Sequence, residues 1–171
     1  SIRMPSKKAF DNLLAYGIPV DKCPYNSYDS LETAEDLEAI FETFSSIKDY
    51  KGNSLKLTAN TIVANPDFEA IQKSDFKEYF FEDFRVTYKK YQGNDDTFRI
   101  IKEGINKSIY VPQLHGREHL HVIEWLKALK EDDRETRFAF ENGLWGFPTK
   151  RFRENKMNFS TAFHIRDKKE E

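Results

Sequence analysis

The feature that most constrains this chain is a repeated order of short β run, turn and helix. It is plainest at residues 108–130, SIYVPQLHGREHLHVIEWLKALK, where Ile109, Tyr110 and Val111 lead through a histidine loop into an amphipathic helix carrying Val122, Leu126 and Leu129 on one side. The same order occurs earlier. Residues 55–64, LKLTANTIVA, are rich in Thr, Ile, Val and Leu, and Asn65-Pro66-Asp67 then turns the chain into a short helix with Phe68 and Ile71 buried. Alternation of this kind predicts an α/β fold with a mainly parallel sheet built of βα units. In such folds the site lies at the carboxyl ends of the strands. The loops at 64–67 and 113–119 qualify, and the pattern places them on the same edge.

Helices fill most of the remainder. Ser6 is an N-cap before Phe10, Leu13 and Leu14, and Gly17 stops that helix. Residues 18–30, with two prolines among turn formers, read as a surface loop. Thr33 and Asp36 form a capping pattern before Leu37, Ile40, Phe41, Phe44 and Ile47, which recur at helical spacing. Residues 49–54 make a turn. The aromatic-dense stretch 78–91 reads as a strand leading into a helix, and residues 93–96 open another helix with Phe98, Ile101 and Ile105 as its stripe. Asp133 caps a helix through about Phe140 that Gly143 ends. Residues 149–171 are expected to be irregular, patterned only at 159–165 and frayed at the end.

At 171 residues the chain suffices for a single domain with a substantial core. Its 27 Lys and Arg nearly balance 29 Asp and Glu and are interspersed with them, which favours neither a nucleic acid nor an anionic membrane surface as partner. Cys23, the only cysteine, excludes an internal disulfide framework and any Cys-rich zinc module. No apolar run approaches the roughly 18 residues of a membrane span, and the first ten residues lack the apolar core of a signal peptide. The first residue is Ser1 and not Met, so the domain is expected to be truncated at its N-terminus.

Chemistry concentrates in the histidine loop. Three of the four histidines, His115, His119 and His121, fall within seven residues. If residues 115–119 are helical, His115 and His119 share one face and can present ring nitrogens to one divalent ion at about 2.0–2.1 Å. A catalytic zinc needs a third protein ligand. Asp67 is the leading candidate, with Asn65 and His121 behind it. The competing readings are that these histidines cap backbone groups or line a polar crevice, and that His121 is solvent-facing or structural. Glu118 makes H-G-R-E-H fit the H-x-x-E-H pattern of inverted zinc proteases, in which the glutamate is the general base. Arg117 and Asn65 are candidates to contact substrate.

Residues 103–119, EGINKSIYVPQLHGREH, resemble the third strand and metal-binding loop of polysaccharide deacetylases, the NodB-homology or carbohydrate esterase family four proteins. The stretch LKLTANTIVANPDF is similar to their second strand. SIRMPS, TANTIVANPDF and QLHGREH together look like an uncharacterised bacterial branch of the group, so the compartment implied is the cytoplasm or cell envelope of a bacterium. The resemblance implies a distorted or incomplete (β/α) barrel that binds a divalent metal, zinc foremost, and removes acetyl groups from an N- or O-acetylated oligo- or polysaccharide. His115 and His119 match the family's two histidine ligands, with Gly116 where the family carries Ser or Thr. The family's acidic motif, which supplies one ligand and the general base, has no match here and would fall just before Ser1. His164 is the nearest counterpart of the family's general-acid histidine.

Aromatic residues supply the candidates for sugar stacking: Tyr79, Phe80, Phe81 and Phe84, or Trp145 and Phe147 in the loop Trp145-Gly146-Phe147-Pro148, which Gly and Pro place at the surface. Most of the fifteen phenylalanines must be core. The alternative to a hydrolase is a non-catalytic relative that keeps the scaffold for glycan or protein binding.

Overall fold

A computed structural model describes residues 4–93, 96–151 and 159–160. Its order is α1 (Lys7–Tyr16), a 3-10 turn (Val20–Lys22), α2 (Pro24–Tyr28), α3 (Ala34–Ser46), β1 (Leu57–Thr61), β2 (Ala64–Pro66), α4 (Phe68–Lys73), β3 (Phe81–Asp83), α5 (Phe84–Gln92), α6 (Thr97–Asn106), β4 (Tyr110–Leu114), α7 (Val122–Lys130) and α8 (Arg134–Glu141). The chain divides into two compact units, one from 1–30, 64–82 and 118–171, the other from 31–63 and 83–117.

The second unit carries the parallel pair. β1 and β4 run side by side in the register Leu57↔Tyr110 to Thr61↔Leu114. Parallel neighbours need a crossover connection. Helices α3 and α6 cover one side, because Leu37, Phe41 and Ile100 bury against Ile109 and Tyr110. Thr33 and Asp36 start α3 with reciprocal bonds: the Thr33 hydroxyl accepts from the Asp36 amide at 3.1 Å, and the Asp36 carboxylate accepts from the Thr33 amide at 2.9 Å. Beside them Phe84, Tyr88 and Phe98 meet edge to face at the junction of α5 and α6.

The first unit is mainly helical, with β2 and β3 paired in a small separate sheet. Ser6 caps α1 through the Ala9 amide, and Gly17 ends it at φ +96°, a left-handed conformation that glycine adopts without the Cβ penalty. Leu13, Ile71, Trp125, Leu129, Leu144 and Phe159 are fully buried together. Phe68 sits among Trp125, Phe140 and Trp145, with ring centroids 5.9, 5.0 and 6.3 Å away.

A mixed α/β architecture with a parallel pair is therefore present, and the described residues form two two-stranded sheets without closing a barrel. Residues 18–30 are not simply a loop: Pro24, whose ring presets a helical φ, starts the short helix α2. The loop at Trp145 is not a surface feature either. Trp145 and Phe147 are 4% and 2% exposed, and the Asn26 carboxamide donates to the Gly146 carbonyl at 3.1 Å. Gly and Pro mark a turn, but the two large rings fold it inward.

Candidate functional site

In the second unit both parallel strands end at the same carboxyl edge, and there the loop after β4 stays attached to the end of β1. The His115 amide donates to Thr61 O at 2.8 Å, and the Val63 amide donates to Gly116 O at 3.3 Å and Arg117 O at 3.1 Å. Tyr110 anchors the start of β4; burial, with the nearby Glu32 carboxylate, pushes its phenol above the usual range, against a hydrogen bond with Thr61. His115 and Arg117 are exposed, at the carboxyl edge that the parallel arrangement selects.

Residues 115–119 are not helical. Gly116 stands at φ +114°, and its neighbours' backbone groups bond across to β1 and not to a helical turn. The shared-face argument for His115 and His119 therefore does not apply. The helical frame that an H-x-x-E-H protease needs around Glu118 is likewise missing.

In the first unit His119 and Glu118 are half-buried. The His119 carbonyl accepts from the Trp145 indole N–H at 3.4 Å. His121 is 3% exposed and caps α7: its Nδ1 accepts from the Glu124 amide at 3.3 Å, and its own amide donates to Phe159 O at 2.8 Å. That is the structural reading of His121. Asn65 is 5% exposed, within β2. Asp67 caps α4, its Oδ1 accepting from the Ala70 amide at 3.0 Å. Trp145 lies in the aromatic core, so its ring is withdrawn from any stacking role with sugar. Of the aromatics expected to stack on sugar, Phe80 and Phe81 are exposed, at 37% and 52%. His164 lies outside the described residues, as does most of the 159–165 stretch.

The donors fit a divalent ion in kind, since imidazole suits zinc. They fall short in number: among the described residues no three His, Cys, Asp or Glu side chains gather into a metal-holding group. No family model, curated protein or solved structure matches the chain.

Sequence reasoning missed a groove of about 440 Å³ in the second unit, lined by Arg85, Tyr88, Lys89, Gln92, Thr97 and Phe98. Nothing local announces it, because it forms only where α5 meets α6. Two of its polar side chains are already engaged. Arg85 is bidentate on Asp83 at 2.8 Å, and the Gln92 carboxamide donates to the Leu31 and Glu32 carbonyls.

Proposed function

We propose that this chain is a metal-dependent hydrolase of the polysaccharide deacetylase kind, or part of one, that removes acetyl groups from an N- or O-acetylated glycan. One observation carries the reading: a parallel strand, β4, delivers His115 at its carboxyl edge, and the H-x-x-x-H stretch then leads into α7. His115 and His119 are the assigned ligands for a divalent ion, zinc foremost. When bound, such an ion supplies Lewis-acid polarisation of an acyl carbonyl and an acidified water. Arg117, exposed beside His115, is assigned to orient the glycan, and Glu118 and His164 are the assigned proton carriers. Asn65 is assigned a supporting contact to substrate.

The test measures metal bound by the chain purified without chelator, beside His115→Ala and His119→Ala, together with acetate release from an acetylated chito-oligosaccharide. Loss of metal in both variants is expected. Equal metal content in all three proteins would sink the ligand assignment.

One observation favours the second reading, a non-catalytic glycan binder: the Asp67 carboxylate, the leading third ligand in the sequence, serves a helix cap. That reading expects oligosaccharide binding without acetate release, weakened by Phe81→Ala.

A further inference from the structure

The nearly neutral composition hides a local imbalance. Each helix of the second unit's layer runs into the strand that follows it, α3 into β1 and α6 into β4, so residues 47–56 and 107–109 meet at the amino edge of the parallel pair. The Leu57 amide donates to Ile109 O at 2.7 Å, joining the two connections directly. Lys48, Lys51, Lys56 and Lys107 are all exposed at this edge, and Asp49 is the only acid in the two connections. Glu103, one turn back on α6, is held by Arg99 at 2.6 Å. Lys56 and Lys107 make no ion pair among the described residues.

Apolar side chains stand exposed among these lysines. Tyr50 is 91% exposed, Ile47 47%, Leu55 42% and Ile105 42%. Tyr50 is not a loose tip. Asp49 accepts from the Lys51 amide at 2.8 Å and from the Asn53 amide and carboxamide at 2.9 Å, and an antiparallel bridge joins Lys48 to Ser54. The turn therefore presents a preformed aromatic knob, with Lys51 Nζ 5.3 Å from the ring centroid.

We propose that this amino edge is a docking surface for an anionic lipid bilayer. Lysines with flexible apolar stems answer acidic headgroups, while a tyrosine flanked by isoleucine and leucine suits the boundary between headgroup and acyl chain. The exposed aliphatics favour a bilayer over an acidic polymer, which offers them nothing apolar. Docking here leaves the opposite edge of the strands, with His115, turned away from the lipid.

The experiment is flotation of the full chain with phosphatidylcholine vesicles and with the same vesicles carrying phosphatidylserine, at low and high salt. Binding is expected only to the anionic vesicles, falling with salt and dropping by more than about fivefold for each of Lys51→Glu, Lys56→Glu and Lys107→Glu, since each removes one attractive charge and adds a repulsive one. Lys89→Glu with Lys90→Glu, on α5, serves as the control and should leave it unchanged. Tyr50→Ser should weaken vesicle binding while leaving any retention by soluble poly-glutamate as it was. The proposal is overturned by absence of binding to the anionic vesicles, by equal loss in the α5 control, or by vesicle binding that ignores Tyr50→Ser. All these positions are exposed, and circular dichroism verifies that each variant is folded.

Discussion

Gly104 of α6 lies directly against the ring of Phe41 on α3: a Cβ added there would overlap the ring and come within 3.0 Å of the Tyr110 Cβ. A helix interior normally disfavours glycine by about 1 kcal/mol relative to alanine. Here the close approach of the two helices to β4 reverses that preference. Gly104→Ala is expected to destabilise by about 1–3 kcal/mol, the usual range for overpacking. Urea unfolding would measure it, and adding Phe41→Leu should recover part of the loss. An alanine variant more stable than the parent would refute the packing.

Asp67→Ala separates a cap from a ligand. The Ala70 amide loses its acceptor, so stability should fall by about 1 kcal/mol. Metal content per folded molecule should stay at the parent level; a fall as large as that of His115→Ala would make Asp67 the third ligand after all.

His121 should behave unlike its two neighbours. His121→Ala removes the buried cap of α7 and is expected to cost about 1–2 kcal/mol in thermal or urea unfolding. His121→Asn, which puts a carboxamide oxygen in place of the Nδ1 acceptor, should recover part of it. Metal stoichiometry should be indifferent to both, and a metal loss as large as that of His119→Ala would overturn the structural assignment.

Trp145→Ala is a core deletion. The expected cost is about 3–5 kcal/mol, with a lower unfolding midpoint. Phe81→Ala removes a half-exposed ring and should leave the midpoint nearly unchanged. Reversed stabilities for the two variants would show that Trp145 faces solvent.

Asp49 carries the pH dependence of the Tyr50 turn. Hydrogen bonds, first from the Asn53 carboxamide and then from the Asn53 amide, hold its carboxyl below the ordinary 3.8. A lowered folded value means that its stabilisation is fully present above pH 3.8 and disappears as pH falls through the folded value. NMR titration should find Asp49 ionising below 3.8, and in Asn53→Ala it should move back up. A carboxyl that titrates at 3.8 or higher in the parent would remove the basis for a rigid turn.

Local chemistry was legible wherever a few neighbouring residues decide the outcome. Ser6 and Gly17 delimited α1, Thr33 and Asp36 capped α3, and Asp133 opened α8, because a cap is a bond between residues three apart. The helix after His121 and the strand-then-helix order of the aromatic stretch were readable for the same reason, whereas the β run expected at 109–111 extends as β4 over 110–114, through Pro112 into the expected loop. Tertiary packing decided the rest. Trp145 and Phe147 carry loop signals, yet their apolar area is buried by side chains far away in sequence. Residues 115–119 read as well as helix as loop until Thr61 and Val63 supply backbone partners. The two compact units each join distant segments, so no shift of composition along the chain marks them. The sequence by itself determined most of the longer helices, the caps of α1, α3 and α8, and the β run that leads to His115. Only the tertiary structure decided which aromatics face water and which lysines gather at one edge, because each depends on partners that the linear order keeps apart.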